Sequence, residues 1–576
     1  MIKQLLKSVR EFKRDAILTP LFVVLEVVME VAIPAVMALL IDRGIDAQDM
    51  GQIWKYGLLL IVCAMLALVF GAAAGTYAAR ASTGFARNLR HDMYYAVQEY
   101  SFANIDKFST GSIVTRLTTD VTNVQNAFQM CTRIAVRCPV MLLFALVMAF
   151  RINSELALVF LAVLPVLAVG LGVLMRLVGP VFERVFKTYD RMNTVVQENV
   201  RGIRVVKAYV REEHETEKFK GVSGLLYREF SKAQKTMACS SPLMQFCMYA
   251  CMLLISWFGA RLIVGGSMTT GELTSLFSYA MQILMSLMMV AMVFVMITMS
   301  RASAERIAEV LAEQPDLHDP AQPVNEVRSG DIDFDHVDFS YKGEEGKLAL
   351  RGVELHIKAG QTVGILGGTG AAKSTLVQLI PRLYDATHGT VRVGGVDVRD
   401  YSIAALRDQV AMVLQKNVLF SGTIKENLRW GNENASDEEL QRVCRLAQAD
   451  DFIRQMPAGY DTHIEQGGTN VSGGQKQRIC IARALLKKPK ILILDDSTSA
   501  VDTKTDALIR KAFAEEIPDT TKIIIAQRVS SVQDADQIVI LDGGVVQAVG
   551  THEELLAGNP IYQEIYEQQT RKGGEQ

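Results

Sequence analysis

Several features that would assign a function directly are scarce or missing in this sequence. The formal net charge is only −2 and no basic stripe is present, so nucleic acid is not an expected partner. The eight cysteines include no CxxC pair, which argues against a metal site or a disulfide framework and favours small buried thiols in a reducing cytosol. The basic N-terminus lacks a small-residue cleavage pattern and is not expected to be a cleavable signal. At 576 residues the chain is too long for one compact domain, and two are expected.

Six apolar runs in the first half of the chain are each close to the ~20 residues that a bilayer core requires. They cover roughly residues 16–41, 56–79, 134–152, 156–181, 242–265 and 273–299. Residues 331–576 are instead typical of a soluble α/β domain, and prolines interrupt the segment between the two parts. The sequence therefore predicts a membrane domain of six helices at 1–310, a linker at 311–330 and a soluble domain at 331–576.

Basic residues are concentrated before the first span and in two long polar connections, between spans two and three and between spans four and five. The short loop after the first span is net acidic. Because cytoplasmic loops carry an excess of Lys and Arg, both termini and both long connections are predicted to be cytoplasmic. The soluble domain is thus expected inside the cell, attached to a lipid bilayer by the membrane domain.

Two carboxylates and a row of methionines stand out within the predicted spans. Glu26 and Glu30 lie one helical turn apart, and their cost at membrane depth predicts that they face a protein or water-filled interior and pair with basic groups. The two glutamates either stabilise helix packing or take part in binding substrate or protons, and the sequence favours neither role. The methionines of the last span fall mostly on one helical face. They are Met281, Met285, Met288, Met289, Met292, Met296 and Met299.

The methionine face has two interpretations. Flexible thioethers fill irregular helix interfaces, and they also suit a promiscuous apolar surface along a translocation path. For the second interpretation the candidate substrate residues are Met285, Met289 and Met292, together with Glu26 and Glu30. A copper site is a weaker alternative, because neither Cys nor His accompanies the stripe.

A glycine-rich loop follows the apolar strand 362–366 and opens a helix, which is the context of a phosphate-binding loop. Its backbone N–H groups and the helix N-terminus are predicted to bind the phosphates of ATP, with Lys373 on the β- and γ-phosphates and the Ser374 hydroxyl on Mg²⁺. The usual glycine before the lysine is Ala372 here, and its methyl group is expected to strain the loop or crowd the phosphate without abolishing binding. The predicted ATP-binding residues of the loop are Gly367, Gly368, Thr369, Gly370, Ala371, Ala372, Lys373, Ser374 and Thr375.

Other residues around this loop are candidates for the same site. Tyr341 follows a predicted strand, where its ring is expected to stack on adenine. Gln415 follows another apolar strand and is expected to touch the metal and to respond to the membrane domain. With Ser374 and Asp495, which ends the strand ILILD, it makes the predicted Mg²⁺ set. A second helix opened by small residues is a further anion site. It begins with Val471, Ser472, Gly473, Gly474 and Gln475.

These motifs together resemble an ATP-binding cassette (ABC) exporter of half size. The phosphate loop, glutamine loop, SGGQ signature, acidic strand end and SAVD segment (499–502) occur in the order of that family. The resemblance covers nearly the whole chain and implies a six-helix membrane bundle with long cytoplasmic extensions, fused to an α/β P-loop NTPase domain. It also implies two halves paired head to tail around two ATP molecules, each held between the phosphate loop of one half and the signature of the other.

The resemblance implies a function for the two long polar connections. Residues 104–121 and 196–219 are charged helical sequence around a glycine and are too polar to face lipid. They are either solvated helical extensions or tips that dock on the ATP-binding domain and transmit its movement. We favour docking, because a motor domain needs a mechanical contact.

Two residues depart from the family pattern at the catalytic positions. The general base of the family is a glutamate after the metal-binding aspartate, and this position holds Asp496, whose carboxylate is withdrawn by one C–C bond. The switch histidine is replaced by Gln527, which can bond a phosphate but carries neither the positive charge nor the proton. With Ala372 nearby and the signature intact, the chain is expected to build one impaired ATP site and to complete a competent site on a partner that retains the glutamate and histidine.

The resemblance therefore predicts one subunit of a heterodimeric bacterial exporter of amphipathic or apolar compounds, with ATP and Mg²⁺ as cofactors. It is expected in the bacterial cell membrane with its nucleotide-binding domain in the cytoplasm. Transport of a lipid, peptide or siderophore is the alternative within the same class. An ATP-gated channel or regulator is less favoured, because the signature is intact and no Ser-rich charged insertion lies between the two halves.

Overall fold

The computed structural model describes residues 1–343, 346–496 and 501–573. The chain forms two compact units. The first contains Met1–Gln98 and Thr110–Glu313, and the second contains Glu99–Ser109 and Gln314–Gln576. A short segment within the range predicted for the membrane domain therefore packs with the second unit.

Residues 1–313 are almost entirely helical. After α1 a short 3₁₀ segment, Lys7–Phe12, leads into the first long helix. The helices are α1 (Ile2–Leu6), α2 (Lys13–Leu40), α3 (Met50–Glu99), α4 (Phe102–Lys107), α5 (Thr110–Thr115), α6 (Val121–Ile152), α7 (Ser154–Arg201), α8 (Ile203–Ala208), α9 (Glu212–Ala238), α10 (Ser240–Val264) and α11 (Thr270–Ala312). All except α4, which lies in the second unit, belong to the first unit.

Six of these helical stretches are long and apolar enough to cross a membrane, which confirms the six predicted spans. They contain α2, α3, α6, α7, α10 and α11. At 1.5 Å per residue the 50 residues of α3 extend for about 75 Å, more than twice the ~30 Å hydrocarbon core. The longest helices therefore continue well beyond the bilayer as polar extensions, as the two long connections predicted.

The helices of both long connections are interrupted at several places. In the first connection the helices are interrupted at Tyr100 and Ser101 and again at Phe108 and Ser109, while Gly111 lies inside α5. Phe108 adopts an extended conformation and is buried. In the second connection the helices are interrupted at Gly202, between α7 and α8, and at 209–211, between α8 and α9. In the first connection, therefore, α4 ends before Phe108 and Gly111 does not interrupt a helix.

The second unit is built around two sheets. The strands are β1 (Ile332–Phe339), β2 (Leu350–Ile357), β3 (Thr362–Leu366), β4 (His388–Val393), β5 (Val396–Asp397), β6 (Val410–Val413), β7 (Gly422–Thr423), β8 (His463–Ile464), β9 (Ile491–Asp495), β10 (Thr521–Ile525), β11 (Gln537–Asp542) and β12 (Val545–Gly550). An antiparallel sheet has the order β2-β1-β4-β5, and a larger sheet has the order β12-β11-β3-β10-β9-β6. In the larger sheet β11, β3, β10, β9 and β6 are parallel, so their carboxyl ends share one edge.

Helices flank these sheets and complete the second unit. They are α12 (Lys373–Gln378), α13 (Ile403–Gln409), α14 (Ile424–Arg429), α15 (Asp437–Leu446), α16 (Asp450–Gln455), α17 (Gly473–Leu486), α18 (Thr503–Glu516), α19 (His552–Gly558) and α20 (Pro560–Gly573). Strand β9 and strand β10 are fully buried along their length, as expected for central strands of a parallel sheet. The residues that follow β3, β9 and β10 at the shared edge are those that the motifs identified.

Candidate nucleotide site and membrane charge cluster

The phosphate loop connects β3 to α12 at the carboxyl edge of the larger sheet. The backbone packs tightly at its start, since a Cβ atom on Gly367 would lie 2.1 Å from the carbonyl oxygen of Leu541. Lys373 Nζ donates hydrogen bonds to the carbonyl oxygens of Gly367 and Gly368, both over 2.8 Å. The start of the loop thus curls around the Lys373 ammonium group, and the contact of this group with phosphates stays a prediction.

Ala372 occupies a conformation that normally requires glycine. It lies immediately before α12 with φ 70° and ψ 27°, in the left-handed region. A non-glycine residue there costs roughly 1 kcal/mol, because its Cβ crowds the following carbonyl group. The methyl group therefore strains the loop, as the sequence predicted, while the chain still follows the turn that the motif needs.

Ser374 and Asp495 meet where Mg²⁺ is expected. The Ser374 hydroxyl donates to Asp495 Oδ1 over 2.9 Å, which brings two hard oxygen ligands together beside the phosphate loop. No cluster of three or more His, Cys, Asp or Glu side chains is found among the described residues, and Mg²⁺ in nucleotide sites needs none, because phosphates and water complete its shell. These two residues fit Mg²⁺; the ion, when bound, would neutralise phosphate charge.

The Asp496 carboxylate is held by two amide side chains. Gln527 Nε2 donates to Asp496 Oδ2 over 2.7 Å, and Gln415 Nε2 approaches the same oxygen at 3.4 Å. Asp496 also has a left-handed backbone, with φ 48°, and only 9% of the residue is exposed. The two departures from the family pattern are therefore direct neighbours, and Gln415 contacts Asp496 rather than the Ser374–Asp495 pair.

Charges in this site are partly removed from solvent. Burial lowers the pKa of Lys373, and the nearby carboxylates of Asp496 and Asp495 offset part of that shift. Burial likewise raises the pKa of Asp495, while the hydrogen bond from Ser374 acts in the opposite direction. A phosphate group and a divalent cation would satisfy the lysine and the carboxylate respectively, so the electrostatics match a bound metal–nucleotide complex.

Tyr341 lies near the phosphate loop with half of its surface exposed. Its hydroxyl is 2.9 Å from Thr375 Oγ1, and its ring meets the ring of Tyr384 edge to face at 5.3 Å. Phe339 packs on it in the same manner at 4.9 Å. These contacts fix the ring beside α12 with 52% of the residue accessible, which suits the predicted contact with adenine.

The signature residues form the exposed start of α17. Ser472 Oγ accepts a hydrogen bond from the backbone N–H of Gln475, and Gln475 Oε1 accepts one from the backbone N–H of Ser472. This capping box leaves the Ser472 hydroxyl proton available as a donor. Val471 and Gly474 are half-buried and Gly473 is exposed. In the SAVD segment, Ser499 and Ala500 lie outside the described residues.

Helix α4 packs on the same unit as the nucleotide site. The Tyr384 hydroxyl donates to Asp106 Oδ2 over 2.7 Å, and the rings of Phe102 and Tyr384 meet at 6.1 Å. Asn104 Nδ2 donates to the carbonyl oxygen of Gln314 over 3.0 Å. Because Tyr384 also touches Tyr341, only one aromatic ring separates α4 from the predicted adenine contact. Part of the first long connection therefore docks on the ATP-binding unit.

The two carboxylates of α2 pair with a basic residue of α6. Arg137 Nη1 donates to Glu26 Oε1 over 2.5 Å, and Arg137 Nη2 donates to both oxygens of Glu30 over 2.7 Å. The expectation that these carboxylates face a protein interior and pair with a basic group agrees with this geometry. Sequence reasoning missed Arg137, although an arginine inside a predicted span and four residues after Arg133 was a usable signal.

The methionine face of α11 is largely exposed in the described part of the chain. The buried residues of α11 lie on other positions, such as Tyr279, Ile283 and Leu284. Met285, Met289 and Met292 are 52%, 46% and 59% exposed. Packing within the described residues therefore leaves about half of each of these three residues exposed, and this surface is available to lipid, a partner or a substrate.

Comparison with known proteins identifies both halves of the chain. Residues 16–288 match the family model of the ABC transporter transmembrane region, and residues 350–499 match the model of the ABC transporter. The chain is 38% identical over 549 residues to the uncharacterized ABC transporter ATP-binding protein YfiB of Bacillus subtilis (strain 168), with 95% of each chain covered. It is 34% identical over 466 residues to YheI of the same organism, a probable multidrug resistance ABC transporter ATP-binding/permease protein. That match covers 81% of this chain and 79% of YheI.

Among solved structures, the fold is similar to that of a bacterial Atm1-family ABC exporter with ATP bound. The TM-score is 0.82 at 23% identity, with 97% of this chain and 99% of the other covered. The matched models, the six apolar helices and the phosphate-loop unit lead to one assignment. The chain belongs to the ABC transporter family, as a half-size exporter with a multi-pass membrane domain and a C-terminal ABC domain of the ATP-hydrolysing type that is cytoplasmic in exporters.

Proposed function

We propose that this chain is one subunit of a heterodimeric exporter for amphipathic or apolar compounds, and that its own ATP site binds ATP but hydrolyses it poorly. The observation that carries the proposal is the 2.7 Å hydrogen bond between Gln527 Nε2 and Asp496 Oδ2. It joins the two residues that would have to position and activate water.

The chemistry of this pair disfavours hydrolysis in two ways. Asp496 is shorter than glutamate by one C–C bond of about 1.5 Å, whereas a general base must lie within ~3 Å of the water that it activates. One oxygen of the Asp496 carboxylate, Oδ2, already accepts a hydrogen bond from Gln527. Gln527 itself supplies no positive charge to the γ-phosphate. Loss of a positioned base typically lowers the rate by ~10²–10⁴-fold.

ATP binding is expected to survive in the same site. Lys373, Ser374 and Asp495 are all present, and the strained turn at Ala372 keeps the loop around the lysine. The exposed start of α17 is the part that would complete the hydrolytic site of a partner. We propose that this partner is a second half-transporter with the standard glutamate and histidine, and that its competent site drives the cycle.

The multidrug substrate class is supported by two observations. The name of the relative YheI describes that protein as a probable multidrug resistance transporter. In this chain, the exposed methionines of α11 offer an adaptable apolar surface of the kind that promiscuous binders use. Transport of a lipid, peptide or siderophore would need a more restrictive surface.

The test compares the ATPase activity of the purified chain alone with that of the chain co-expressed with a half-transporter encoded beside it. The chain alone is expected to hydrolyse ATP at least ~10²-fold more slowly than the complex. The control is Lys373→Ala, which should remove any residual activity of this chain's own site. Robust turnover by the chain alone that Lys373→Ala abolishes would contradict the proposal.

A further inference from the structure

The charge cluster of Glu26, Glu30 and Arg137 is unbalanced within the membrane domain. Two carboxylates share the guanidinium group of Arg137, which donates to one oxygen of Glu26 and to both oxygens of Glu30. Negative charge is therefore in excess among these three side chains. In a medium of low dielectric constant such an excess is costly unless a further cation is near.

One oxygen of the cluster lacks a partner. Glu26 Oε2 is buried and has no hydrogen-bond partner within the part of the chain that the structure describes. The Glu26 side chain is only 8% exposed. A buried acceptor without a donor is unfavourable, so an N–H group that reached this oxygen would be bound with a gain in free energy.

Helix α3 packs closely on this carboxylate because it has a glycine there. A Cβ atom on Gly71 would lie 3.1 Å from Glu26 Oε1 and 3.6 Å from Glu26 Oε2. One turn further along α3, a Cβ atom on Gly75 would lie 3.6 Å from Arg133 Nη1. Arg133 makes no ion pair with a carboxylate of the described residues, so it offsets the excess negative charge only from a greater distance than Arg137.

The cluster is accessible from one side. The side chains of Glu30 and Arg137 are 27% and 32% exposed, whereas Glu26 lies behind them. Charged side chains at membrane depth face a bundle interior or a water-filled cavity rather than lipid. A polar head group carried by an amphipathic molecule can therefore approach the exposed parts of Glu30 and Arg137, directly in front of Glu26.

We infer that this cluster binds the ammonium group of cationic amphipathic compounds, with Glu26 Oε2 as the acceptor and Glu30 as the second carboxylate. The inference rests on the proposed export function and narrows its substrate class to compounds with a protonated amine. Arg137 is then a positioning residue that holds the two carboxylates side by side.

The test uses two probes that differ only in charge. Monodansylcadaverine carries a primary amine, and its N-acetyl derivative has the same ring and linker without the charge. Binding of each to the assembled transporter in nanodiscs of zwitterionic lipid is measured by dansyl fluorescence, with empty nanodiscs subtracted. Glu26→Gln is expected to raise the Kd of the amine about tenfold or more and to change the Kd of the acetylated probe less than about twofold.

Two further variants separate charge from folding. Gly71→Ala keeps every charge but places a methyl group against the Glu26 carboxylate, and it should weaken binding of the amine selectively. Glu155→Gln is the matched control, because this exposed carboxylate lies in the first turn of α7, and it should change neither Kd. If Glu26→Gln does not fold, Glu30→Gln and Gly71→Ala give the same comparison.

Each outcome decides the inference. A selective loss of the amine in Glu26→Gln and Gly71→Ala supports it. Equal effects on both probes assign the cluster to helix packing, and no effect on either probe removes it from the binding path; both results overturn the inference. These binding measurements do not depend on ATP hydrolysis. The proposed asymmetry of the ATP sites is therefore tested independently, by the ATPase comparison above.

Discussion

At the level of single residues, Ser472 and Asp496 contribute to different ATP sites in the proposed assembly. The Ser472 hydroxyl accepts the Gln475 N–H and keeps its own proton for a phosphate oxygen of the partner's site. Asp496 faces Gln527 in this chain's own site. Substitutions at the two positions should therefore affect the ATPase rate of the complex very differently.

We expect Ser472→Ala to lower the ATPase rate of the heterodimer by ~10²–10³-fold, the usual effect of losing one transition-state donor. Asp496→Asn should change the rate less than about threefold, because the impaired site contributes little turnover. Steady-state phosphate release from the purified complex measures both.

A capping control is needed, since Ser472 also caps α17 and removal of an N-cap costs ~1 kcal/mol of stability. Ser436 caps α15 through the same reciprocal bonds with Glu439, so Ser436→Ala removes a cap away from the signature. If Ser436→Ala slows hydrolysis as much as Ser472→Ala, the effect is one of folding. Equal losses in Ser472→Ala and Asp496→Asn would contradict the division of roles.

The substitutions at Asp496 and Gln527 were visible in the sequence, but their hydrogen bond was not. Asp496 follows β9 and Gln527 follows β10, 31 positions apart in the chain. They meet because these strands are parallel neighbours, with Asp495 in register with Ile525. A sequence motif gives the residue type at the end of each strand. Whether the residues at two strand ends touch depends on the order of the strands in the sheet.

At the level of elements, α11 presents different faces to its own chain and to its surroundings. Ser275, Tyr279 and Ile283 are buried, and the first two donate hydrogen bonds to carbonyl groups of α2. The methionine face is exposed over the same span. Because the methionines lie away from the buried face, they can be substituted on α11 to test substrate contact with little effect on helix packing.

We expect the triple change of Met285, Met289 and Met292 to alanine to alter cargo preference by about fivefold for each methionine that a compound contacts, because each lost apolar contact is worth roughly 1 kcal/mol. Drug-stimulated ATPase and dye efflux should change in a compound-dependent manner, while expression and basal ATPase remain. Met65→Ala is a matched control, since Met65 is equally exposed on α3. Uniform loss for all compounds together with poor folding would assign the face to packing, and no change would assign it to lipid.

Hydropathy was sufficient for the six spans but not for the shape of the connections between them. A span needs only length and apolar composition, which are local properties. The position of α4, which ends before Phe108, is fixed by contact of the Phe108 ring with Tyr100, with ring centroids 5.9 Å apart, and by the hydrogen bond between Tyr384 and Asp106. The second contact joins residues 278 positions apart, so no local pattern reports it.

At the level of the whole molecule, the proposed heterodimer should retain ATP at one site while it hydrolyses ATP at the other. Lys373, Ser374 and Asp495 provide binding in the retaining site, and Asp496 with Gln527 limits its chemistry. The need for a partner was predicted from the sequence and remains a prediction, because it concerns a second chain.

We expect the double change Asp496→Glu with Gln527→His to convert the retaining site into a hydrolysing one. The added methylene brings a carboxylate closer to the attacking water, and the imidazole restores a group that can carry positive charge. After a single turnover with radiolabelled ATP, the unmodified complex should keep about one intact ATP per heterodimer, whereas the double variant should contain mainly ADP. Asp496→Glu alone should give an intermediate result, because Gln527 would still hold the carboxylate.

Lys373→Ala is the control, since it should abolish ATP retention without creating ADP at this site. Complete conversion to ADP in the unmodified complex would show that Asp496 and Gln527 do not limit hydrolysis, and the two ATP sites would then have to be treated as equivalent.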